Sequence, residues 1–593
     1  MENSEIANIL REIGECLEME GVPFKPRAYE KVAEVIADLK ESVVELYKKG
    51  GLKAVEDIPG VGAGIGEKIE ELLKTGRLRY YDMLKKKTPV DLASLREVQG
   101  LGPKHIKKLY TALRVKNIKD LEKAARQGKI AKLPGFGKKS EENILRGVEF
   151  LKKSGGRYIL AFAMPHVLEI KKNLEALKEV QHIDIAGSIR RGKETVGDAD
   201  ILIVSKNPKP VMDRFVSLKN VKQVLAQGMT KSVVILNNGM EVDLRVVPVA
   251  SYGAALNYFT GSKDHNVTLR QMAIKKGWKL NEYGLFSAKS GKHAENRGIL
   301  RGTTRKEKMI AGKTEEEIYA KLGLRYIPPE LREMTGEFEA AQRGTLPDLI
   351  EQGELRGDLQ VQTNWTDGSD SIEEMARAAI KAGLTYIAIT DHTKRLMVAH
   401  GLDEKRIQMQ WREIHHVNQK LKTKNQKFKI LKGTECDILA DGSLDLPDKT
   451  LSKLDVVGIS VHSLFGLSRK EQTERIKKAM SNPNVDILFH PTGRVINSRD
   501  PYDVDMEEII KHAKKTGTIL EIDAYPVRAD LKDEYIKKCV EAGVKMSIDS
   551  DAHAVEHFAF LEYGIIQARR GWATKTDIIN ALPVEKMLKM LKK

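Results

Sequence analysis

The sequence has little cysteine and no long hydrophobic run. Only three of its 593 residues are cysteines, Cys16, Cys436 and Cys539, and they lie far apart. This spacing indicates neither a disulfide framework nor a zinc finger. No apolar stretch approaches the roughly 20 residues of a membrane-spanning helix, and the N-terminal residues predict an amphipathic helix rather than a signal peptide. We therefore expect a cytoplasmic protein that does not bind a membrane.

The sequence has fewer acidic than basic residues. The chain has 100 Lys and Arg residues against 83 Asp and Glu residues, which gives a formal net charge of +17. This balance favours a polyanionic partner, although charge alone does not say which one. The chain is too long for a single hydrophobic core, so it should form several domains.

Three acidic residues carry most of the chemical information: Asp198, Asp200 and Asp243. The apolar residues 201–204 and 232–236 predict buried strands. Because side chains alternate across a strand, Asp198 and Asp200 should point to the same face. Clustered carboxylates favour a divalent cation such as Mg²⁺, and a third carboxylate from a neighbouring strand would complete a two-metal site for phosphoryl transfer. The alternative is a pair of solvated acids at a strand end, because Asp-x-Asp alone is common.

A small-residue turn, Gly187-Ser188, precedes the first two aspartates and follows the strand-like residues 183–186. The backbone N–H groups and the hydroxyl of such a turn can hold phosphate oxygens. Arg190 and Arg191 come next, and guanidinium groups suit a triphosphate. One short stretch therefore combines a phosphate cradle, two cations and metal-binding acids.

This stretch resembles the nucleotidyltransferase motif of the family X DNA polymerases, in which Gly-Ser is followed by Gly-x-Asp-x-Asp and by a later Asp. A second stretch, residues 258–270, resembles the start of the subdomain that closes on the nascent base pair in that family. It consists of Tyr-Phe-Thr-Gly-Ser followed by Asn266 and Arg270. The alternative for the second stretch is a glycine-centred turn with aromatic core residues.

The resemblance implies a role for each matching residue. Two Mg²⁺ ions, for which Mn²⁺ can substitute, would be held by Asp198, Asp200 and Asp243. The β and γ phosphates of a deoxynucleoside triphosphate would be bound by Gly187, Ser188, Arg191 and Gly197. The remaining nucleotide-binding residues would be Tyr258 and Phe259 under the sugar, Gly261 in the turn, Asn266 at the minor-groove edge of the base and Arg270 on the template side.

The first 150 residues are predicted to be helical and contain an internal repeat. Each copy, at residues 58–62, 98–104 and 133–139, has an apolar residue before Gly-x-Gly and a helix after it. The glycines permit tight turns, and the helix start can meet a phosphate. The repeat resembles the helix–hairpin–helix motif, which grips the DNA backbone; a single copy would be better explained by a plain helix C-cap. The candidate DNA-binding residues are Gly60, Gly62, Gly100, Gly102, Lys104, Gly135, Gly137 and Lys138.

Lys68 matches the Schiff-base lysine of the 5′-deoxyribose-phosphate lyase domain found in the polymerase beta relatives. Such a lysine attacks the abasic sugar as an amine. Lys25 and Tyr29 also match the phosphate pocket of that domain, but Gly64 and Phe24 stand where the pattern has a lysine and a histidine. A solvated lysine on a helix face is therefore the alternative to a catalytic Lys68.

From residue 357 onward, short apolar runs end repeatedly in metal-binding residue types, with helical segments between them. This pattern is typical of a parallel α/β barrel with its chemistry at the C-terminal ends of the strands. Residues 355–570 resemble the polymerase-and-histidinol-phosphatase (PHP) family, a trinuclear metal phosphoesterase barrel. That domain often follows a family X polymerase in bacteria and archaea, where it can act as a 3′–5′ exonuclease.

The opening motif of the barrel departs from the PHP pattern. Gln360 and Gln362 stand where the family has two histidines, and an amide is a weak ligand for Zn²⁺ or Mn²⁺. The resemblance implies three ion positions, held by Gln360 and Gln362 with Glu435 and Asp551, by Glu435, His462 and His490, and by Asp367, His392 and His553. We expect the first position to be weakened and the nuclease activity to be weak or lost.

The predicted fold class is multidomain: an all-α helix–hairpin–helix N-terminal region, an α/β nucleotidyltransferase palm and a C-terminal distorted (β/α) barrel of the PHP type. The expected boundaries are 1–88 for the lyase-like helical domain, 89–152 for the second helix–hairpin–helix subdomain, 153–262 for the palm, 263–322 for the nucleotide-closing subdomain, 323–354 for a linker and 355–593 for the PHP domain.

The function that follows is template-dependent DNA synthesis, with gap filling in base excision repair as the expected task. The expected partners are gapped or primed DNA and a deoxynucleoside triphosphate, bound by a monomer. Two alternatives stay open: a metal-dependent nuclease or phosphoesterase acting through the barrel, and a DNA-binding repair scaffold with degenerate enzyme domains. The altered Gln360 and Gln362 argue against the first, and the complete aspartate set argues against the second.

Overall fold

The computed structural model describes residues 3–591, apart from residues 21, 23–24, 40–41, 59, 88–89, 92–94, 96–97, 99–100, 102, 139, 143, 146–147, 149–156, 289–306 and 424–426. The chain divides into two compact units. One consists of Met1–Gly156 with Asn497–Arg499, and the other of Arg157–Ile496 with Asp500–Lys593.

The first unit is helical, as the sequence predicts. Its helices are Asn3–Glu20, Lys25–Asp38, Val43–Glu56, Ala63–Thr75, Arg79–Lys87, Pro103–Leu113 and Ile118–Arg126. Apolar residues recur at helical spacing, as in Ile6, Leu10 and Ile13, and form the buried face of the first helix. One hydrophobic cluster includes Ile6, Ile69 and Leu109, so the two expected helical subdomains contribute to a common core.

The described residues of the three glycine repeats make the same backbone hydrogen bond. In each, the N–H of one residue donates to the carbonyl oxygen three residues earlier, a geometry typical of a β-turn. Gly60 and Gly135 have φ values of +86° and +87°, which glycine adopts without strain. The bonds join Val61 to Ile58, Leu101 to Val98 and Phe136 to Leu133, over 3.0, 3.1 and 3.0 Å.

The second unit begins with a five-stranded sheet in the order β2-β4-β7-β6-β5. Its strands are β2 (Val180–Ile185), β4 (Asp198–Ser205), β5 (Val221–Gln227), β6 (Lys231–Leu236) and β7 (Glu241–Val247); β1 (Tyr158–Ile159) and β3 (Thr195–Val196) form a separate pair. The predicted strands at 201–204 and 232–236 are confirmed as parts of β4 and β6. β7 lies between them and is parallel to β4. The helices Leu160–Glu175 and Pro208–Val216 pack against this sheet.

The next region contains the helices Tyr252–Thr260, Lys263–Lys275 and Glu315–Leu322 and a small antiparallel sheet. The strands of this sheet are β8 (Trp278–Asn281), β9 (Gly284–Ala288) and β10 (Glu307–Ala311).

Residues 323–354, expected to be a linker, pack into the core of this region. Phe338, from the helix Glu337–Arg343, is buried there. Arg332 is fully buried, and its Nη1 lies 2.6 Å from Glu315 Oε1. Arg332, Glu333 and Glu337 of this segment are therefore paired within the protein, which the polar composition of the segment does not predict.

His265 is a buried histidine in the helix Lys263–Lys275. Its Nδ1 lies 3.0 Å from Glu337 Oε1, and its Nε2 lies 2.8 Å from the Tyr319 hydroxyl. Burial lowers the pKa of His265 below its ordinary value. The unfolded state therefore binds a proton more readily than the folded state, so the stabilisation is present above about pH 6.5 and is lost as pH falls below it.

We expect the melting temperature of the protein to fall more steeply between pH 7 and pH 5 than that of His265→Gln. Calorimetry across this pH range measures the difference. His416→Gln is a matched control, because it removes an exposed histidine in place of a buried one. If the profiles of the protein and His265→Gln were parallel, His265 would not carry the acid sensitivity.

The last part of the second unit is a seven-stranded parallel sheet whose strands follow each other in chain order. They are β11 (Gly357–Val361), β12 (Tyr386–Ile389), β13 (Lys429–Asp437), β14 (Val456–Ser460), β15 (Ile487–Leu488), β16 (Ile519–Asp523) and β17 (Met546–Asp549). The accompanying helices are Ile372–Lys381, Glu404–Thr423, Asp448–Leu451, Arg469–Met480, Met506–Thr516, Asp533–Ala542, Leu561–Arg570 and Val584–Leu591. Gln362 N–H donates to Ala552 O over 2.8 Å, so the end of β11 meets the residues after β17. The sheet is thus a nearly closed barrel, as predicted.

Among the described residues, no helix combines the length and the hydrophobicity that crossing a bilayer requires. The three cysteines are all buried, and no disulfide joins them.

Candidate functional site

The three predicted carboxylates lie on two adjacent parallel strands. Asp198 and Asp200 are in β4, and Asp243 is in β7 directly opposite Asp200. Asp198 and Asp200 are two residues apart and therefore lie on the same face of the sheet. The strand register thus brings together the acidic cluster that the sequence predicts.

The carboxylates of this cluster are electrostatically unbalanced. Burial, and then the charges of Asp198 and Asp243, raise the pKa of Asp200 to about 7. Asp243 Oδ2 lies 3.0 Å from Lys231 Nζ and 3.2 Å from Arg245 Nη2, while its buried Oδ1 has no hydrogen-bond partner. Crowded carboxylate oxygens with an unsatisfied buried oxygen fit a divalent cation such as Mg²⁺.

Gly187 begins the short helix Gly187–Arg190 next to this cluster. Its φ is +65°, and a Cβ at this position would collide with the Asp200 carboxylate. A side chain there would displace a member of the acidic cluster, so the turn requires glycine.

A cavity of about 550 Å³ opens over the acidic cluster, within the size range of small-molecule sites. The predicted residues that line it are Gly187, Ser188, Arg191, Gly197, Asp198, Asp200, Tyr258, Phe259, Gly261, Asn266 and Arg270. Sequence reasoning missed three cations in its wall, Arg157, Lys193 and Lys263. Lys193 and Lys263 lie within the two predicted stretches, at positions that neither pattern specifies, and Arg157 lies before both stretches. Only the fold shows that all three face the cavity, and the positive wall suits a polyphosphate.

The residues of the second predicted stretch are connected to one another. The rings of Tyr258 and Phe259 meet edge to face, with 5.2 Å between centroids. Asn266 Nδ2 donates to the backbone oxygen of Tyr258 over 2.7 Å, and Arg270 Nε donates to the backbone oxygen of Asn266 over 3.3 Å. Two aromatic rings, an amide group and a guanidinium group of the cavity lining are therefore linked to one another.

The barrel carries a second cluster, at the C-terminal ends of its strands as predicted. Two groups of residues have ligand atoms within 4.8 Å of one another: Asp367, His392 and His553, and His392, Glu435 and His462. His490 joins the second group, because its Nε2 lies 2.8 Å from Glu435 Oε1. Imidazole and carboxylate groups at this spacing fit Zn²⁺ or Mn²⁺.

Two of the predicted barrel ligands have a left-handed backbone conformation. The φ of His490 is +29° and that of Asp551 is +50°. Such conformations are costly for residues other than glycine and cluster at functional sites. The fold therefore holds both side chains at the strand ends at a conformational cost.

The two glutamines turn amide groups toward carboxylates. Gln362 Nε2 donates to Glu435 Oε2 over 2.9 Å. When the Gln360 amide is oriented with its nitrogen toward the nearby acceptors, that nitrogen donates to both carboxylate oxygens of Glu521. Glu521 was not predicted as part of this cluster; burial, and then the charges of Asp523 and Asp549, raise its pKa. Protein donors therefore face carboxylates at both positions where the PHP pattern has metal-binding histidines.

Asp551 also has a protein cation beside it. Arg528 Nε lies 3.3 Å from Asp551 Oδ2 and 3.4 Å from Asp523 Oδ2. This arginine was not singled out in the sequence. Arg528 and the two glutamines thus place a cation and amide donors at the first expected ion position, an environment that fits a metal ion poorly. At the other two expected ion positions, all the predicted ligands are present.

In the first unit, the described candidate residues belong to turns and helix starts. Gly62 precedes the helix Ala63–Thr75 as its N-cap, and a Cβ on Gly135 would approach Lys108 Nζ to 2.8 Å. Gly137 and the exposed Lys138 stand at the start of another helical segment. Gly100, Gly102 and the side chain of Lys104 lie outside the described residues.

The ammonium group of Lys68 has local partners. It donates to the backbone oxygen of Gly64 over 2.7 Å and lies 5.0 Å from the centroid of the Tyr80 ring. The lysine is therefore held by its own helix and by a neighbouring aromatic ring, a placement that the solvated-lysine alternative also allows.

Comparison with known proteins matches five domain families along the chain. A helix–hairpin–helix domain matches residues 1–78, and a SAM-like helix–hairpin–helix tandem matches residues 92–149. The DNA polymerase beta palm matches residues 164–244, the DNA polymerase beta thumb residues 255–333, and the PHP domain residues 358–553. The fold and the two clusters thus define a polymerase palm and thumb joined to a PHP barrel.

Similarity to curated proteins extends over the full length. The DNA polymerase/3′-5′ exonuclease PolX of Bacillus subtilis is 37% identical over 596 residues, which cover 100% of both chains. A probable phosphatase of Thermoanaerobacter sp. is 32% identical over 221 residues, 35% of this chain and 83% of its own. A probable phosphatase of Acetivibrio thermocellus is 27% identical over 191 residues, 31% of this chain and 73% of its own. The chain belongs to the family X DNA polymerases that carry a C-terminal PHP domain.

Proposed function

We propose that the protein is a template-dependent DNA polymerase that transfers a nucleotide from a deoxynucleoside triphosphate to a primer 3′-hydroxyl. The observation that carries this proposal is the set of three carboxylates on adjacent parallel strands, beside a cavity with a positively charged wall. Asp198, Asp200 and Asp243 would hold two Mg²⁺ ions. When bound, these ions supply charge that favours ionisation of the primer hydroxyl and departure of pyrophosphate.

The other cavity residues would bind and orient the substrate. Gly187, Ser188, Arg191 and Gly197 would hold the β and γ phosphates, and the cationic side chain of Arg157 lies in the same wall. Tyr258 and Phe259 would support the sugar, Asn266 would meet the minor-groove edge of the base, and Arg270 would face the template. These roles position the α-phosphorus for attack rather than create the nucleophile.

A one-nucleotide gap with a labelled primer tests the proposal. The four deoxynucleoside triphosphates are supplied one at a time, with Mg²⁺ or with Mn²⁺, and the downstream strand carries or lacks a 5′-phosphate. We expect extension by the complementary nucleotide only. Addition without regard to template, or none with any nucleotide, would contradict the proposal; dependence on the 5′-phosphate would support a gap-filling role in base excision repair.

For the barrel we propose a 3′–5′ exonuclease activity that is weak or lost. The complete groups around Glu435 and around Asp367 would hold Zn²⁺ or Mn²⁺, which favours a residual phosphoesterase activity. The amide nitrogen of Gln362 faces Glu435 where a metal-binding imidazole is expected, which supports the weakening.

Lyase activity of Lys68 is a proposal with its own test. An incised abasic site with a 5′-deoxyribose phosphate is incubated with the protein and reduced with borohydride, which traps a Schiff base covalently. If Lys68 is the nucleophile, we expect a cross-linked product that Lys68→Ala lacks and Lys74→Ala, on the same helix, retains. A product of equal yield from both variants would exclude the assignment.

The first unit would grip DNA through backbone phosphates. The shared turns at Gly60 and Gly135 support this role, and the net charge of +17 suits a polyanion. The domain boundaries given above, apart from the linker at 323–354, are retained as proposals, as are the monomeric state and the cytoplasmic location.

A further inference from the structure

We propose that Arg570, in the PHP barrel, is a positioning residue for Arg191 in the palm, so that the barrel sets the affinity of the polymerase for the incoming triphosphate. The inference rests on the proposed function, in which Arg191 binds the β and γ phosphates. The relevant contacts all lie within the second compact unit.

The guanidinium of Arg191 is held on two sides. Its Nε lies 2.9 Å from Glu333 Oε1, and its Nη1 donates to the backbone oxygen of Thr260. Both partners lie far from Arg191 in the sequence. Thr260 ends the helix Tyr252–Thr260, and Glu333 belongs to the segment 323–354 described above. The orientation of Arg191 in the cavity wall therefore depends on where Glu333 is held.

Glu333 is in turn held by a cation of the barrel. Arg570 Nη1 lies 3.4 Å from Glu333 Oε1 and donates to the backbone oxygen of Arg191 over 2.8 Å. Its Nη2 pairs with Asp533 of the barrel. The side chain of Arg570 is only 3% exposed, so water screens these charges weakly. One arginine thus contacts both Arg191 and the carboxylate that orients it.

Lys193 is part of the same arrangement. It lines the cavity, and its Nζ lies 3.9 Å from Glu333 Oε2. Glu333 therefore faces two cavity cations, Arg191 and Lys193, together with Arg570, which does not line the cavity. Arg570 balances part of the charge on Glu333 that would otherwise attract the two cavity cations away from a triphosphate.

The helix that carries Arg570 is fixed against the palm. Ile566, in the helix Leu561–Arg570, packs against Gly192, where a Cβ would collide with it. Nearby, Arg494 of the barrel makes a two-bond ion pair with Glu194 of the palm, with distances of 2.6 and 3.2 Å. Gly192 and Glu194, which closely follow Arg191, are therefore both anchored to the barrel, and close packing with a bidentate ion pair favours a rigid positioning contact.

Steady-state primer extension on the gapped substrate tests the inference. Without Arg570, the charge of Glu333 is balanced by Arg191 and Lys193 alone. The triphosphate then competes with Glu333 for these two cations. We expect Arg570→Met to raise KM for the nucleotide about tenfold, with kcat changed less than about threefold, because the aspartate cluster is untouched. Arg569→Met is the matched control: Arg569 lies on the same helix and pairs with Glu330, but not with Glu333 or Arg191.

A double-mutant cycle separates positioning from general stabilisation. In a Glu333→Gln background, Arg570→Met should raise KM by less than about threefold, because the carboxylate through which Arg570 acts is gone. A merely structural role would give equal effects in both backgrounds. Melting temperatures check folding; if Arg570→Met does not fold, Arg570→Gln, which can still donate hydrogen bonds but removes the charge near Glu333, takes its place with the same expected direction.

The outcomes distinguish this inference from the proposed function. If the unchanged protein does not extend the primer, the proposed function fails. If it extends the primer and the folded Arg570 variant has an unchanged KM, or a changed KM that Glu333→Gln does not suppress, the positioning inference is wrong while the proposed function stands.

Discussion

Asp243→Asn is expected to lower the rate of nucleotide addition about a thousandfold or more, in line with the loss of a principal electrostatic contributor to a transition state. The asparagine has the same shape, so the strand pairing of β7 with β4 should persist. It removes the negative charge that faces Asp200 and that would hold a metal ion together with it. Single-turnover extension of a primed template, at saturating nucleotide and Mg²⁺, measures the change.

The control for this variant is Asp213→Asn, an exposed aspartate on the palm helix Pro208–Val216. It removes the same charge from the same domain away from the cavity, and we expect normal extension. DNA affinity, measured by fluorescence anisotropy, should be nearly the same for both variants and the unchanged protein, because the helix–hairpin–helix turns are intact. Near-normal extension by Asp243→Asn would contradict the assignment of the aspartate cluster.

The second large effect is expected in the barrel. Replacing Gln360 and Gln362 together with histidine should raise Mn²⁺-dependent shortening of a 3′ single strand about a hundredfold, on the scale of changes around metal ligands. The amide nitrogen of Gln362 now donates to Glu435, which occupies an acceptor that an ion would use. An imidazole would present a lone pair instead, and the first ion position would regain two ligands.

Metal content provides a readout independent of activity for this prediction. Mass spectrometry of the purified double variant should find about one additional ion per chain relative to the unchanged protein. Adding Asp551→Asn to the double variant should remove both the extra ion and the gained nuclease activity. If the unchanged protein already degrades the strand as fast as the double variant, the weakening attributed to the glutamines is wrong.

The alternation of side chains along a strand was enough to predict that Asp198 and Asp200 share a face. It could not show that Asp243 lies directly opposite Asp200, because chain order does not reveal that β7 inserts between β4 and β6. The barrel was predictable for a similar reason: apolar runs with metal-binding residues at their ends recur with the period of a β/α unit. The periodicity of apolar and polar residues was therefore enough to predict most of the fold.

Isolated residues were beyond such reasoning. Arg157 and Lys193 line the cavity at positions that no pattern specifies, and Glu521 is recognisable only by the amide of Gln360 beside it. The segment 323–354 was expected to be a linker because it is polar, yet Arg332 and Glu333 form ion pairs within the folded unit. Long-range charge pairing leaves no periodic trace in a sequence, and it is the feature on which the positioning role of Arg570 depends.

The most direct test of the central claim follows both activities of the unchanged protein on one substrate. A one-nucleotide gap with a labelled primer is incubated with Mg²⁺ and the complementary deoxynucleoside triphosphate, and the primer length is followed with time. The account predicts a primer longer by one templated nucleotide, with shortening far slower than addition. Shortening of the primer without addition would contradict it and would make the barrel, not the aspartate cluster, the main active site.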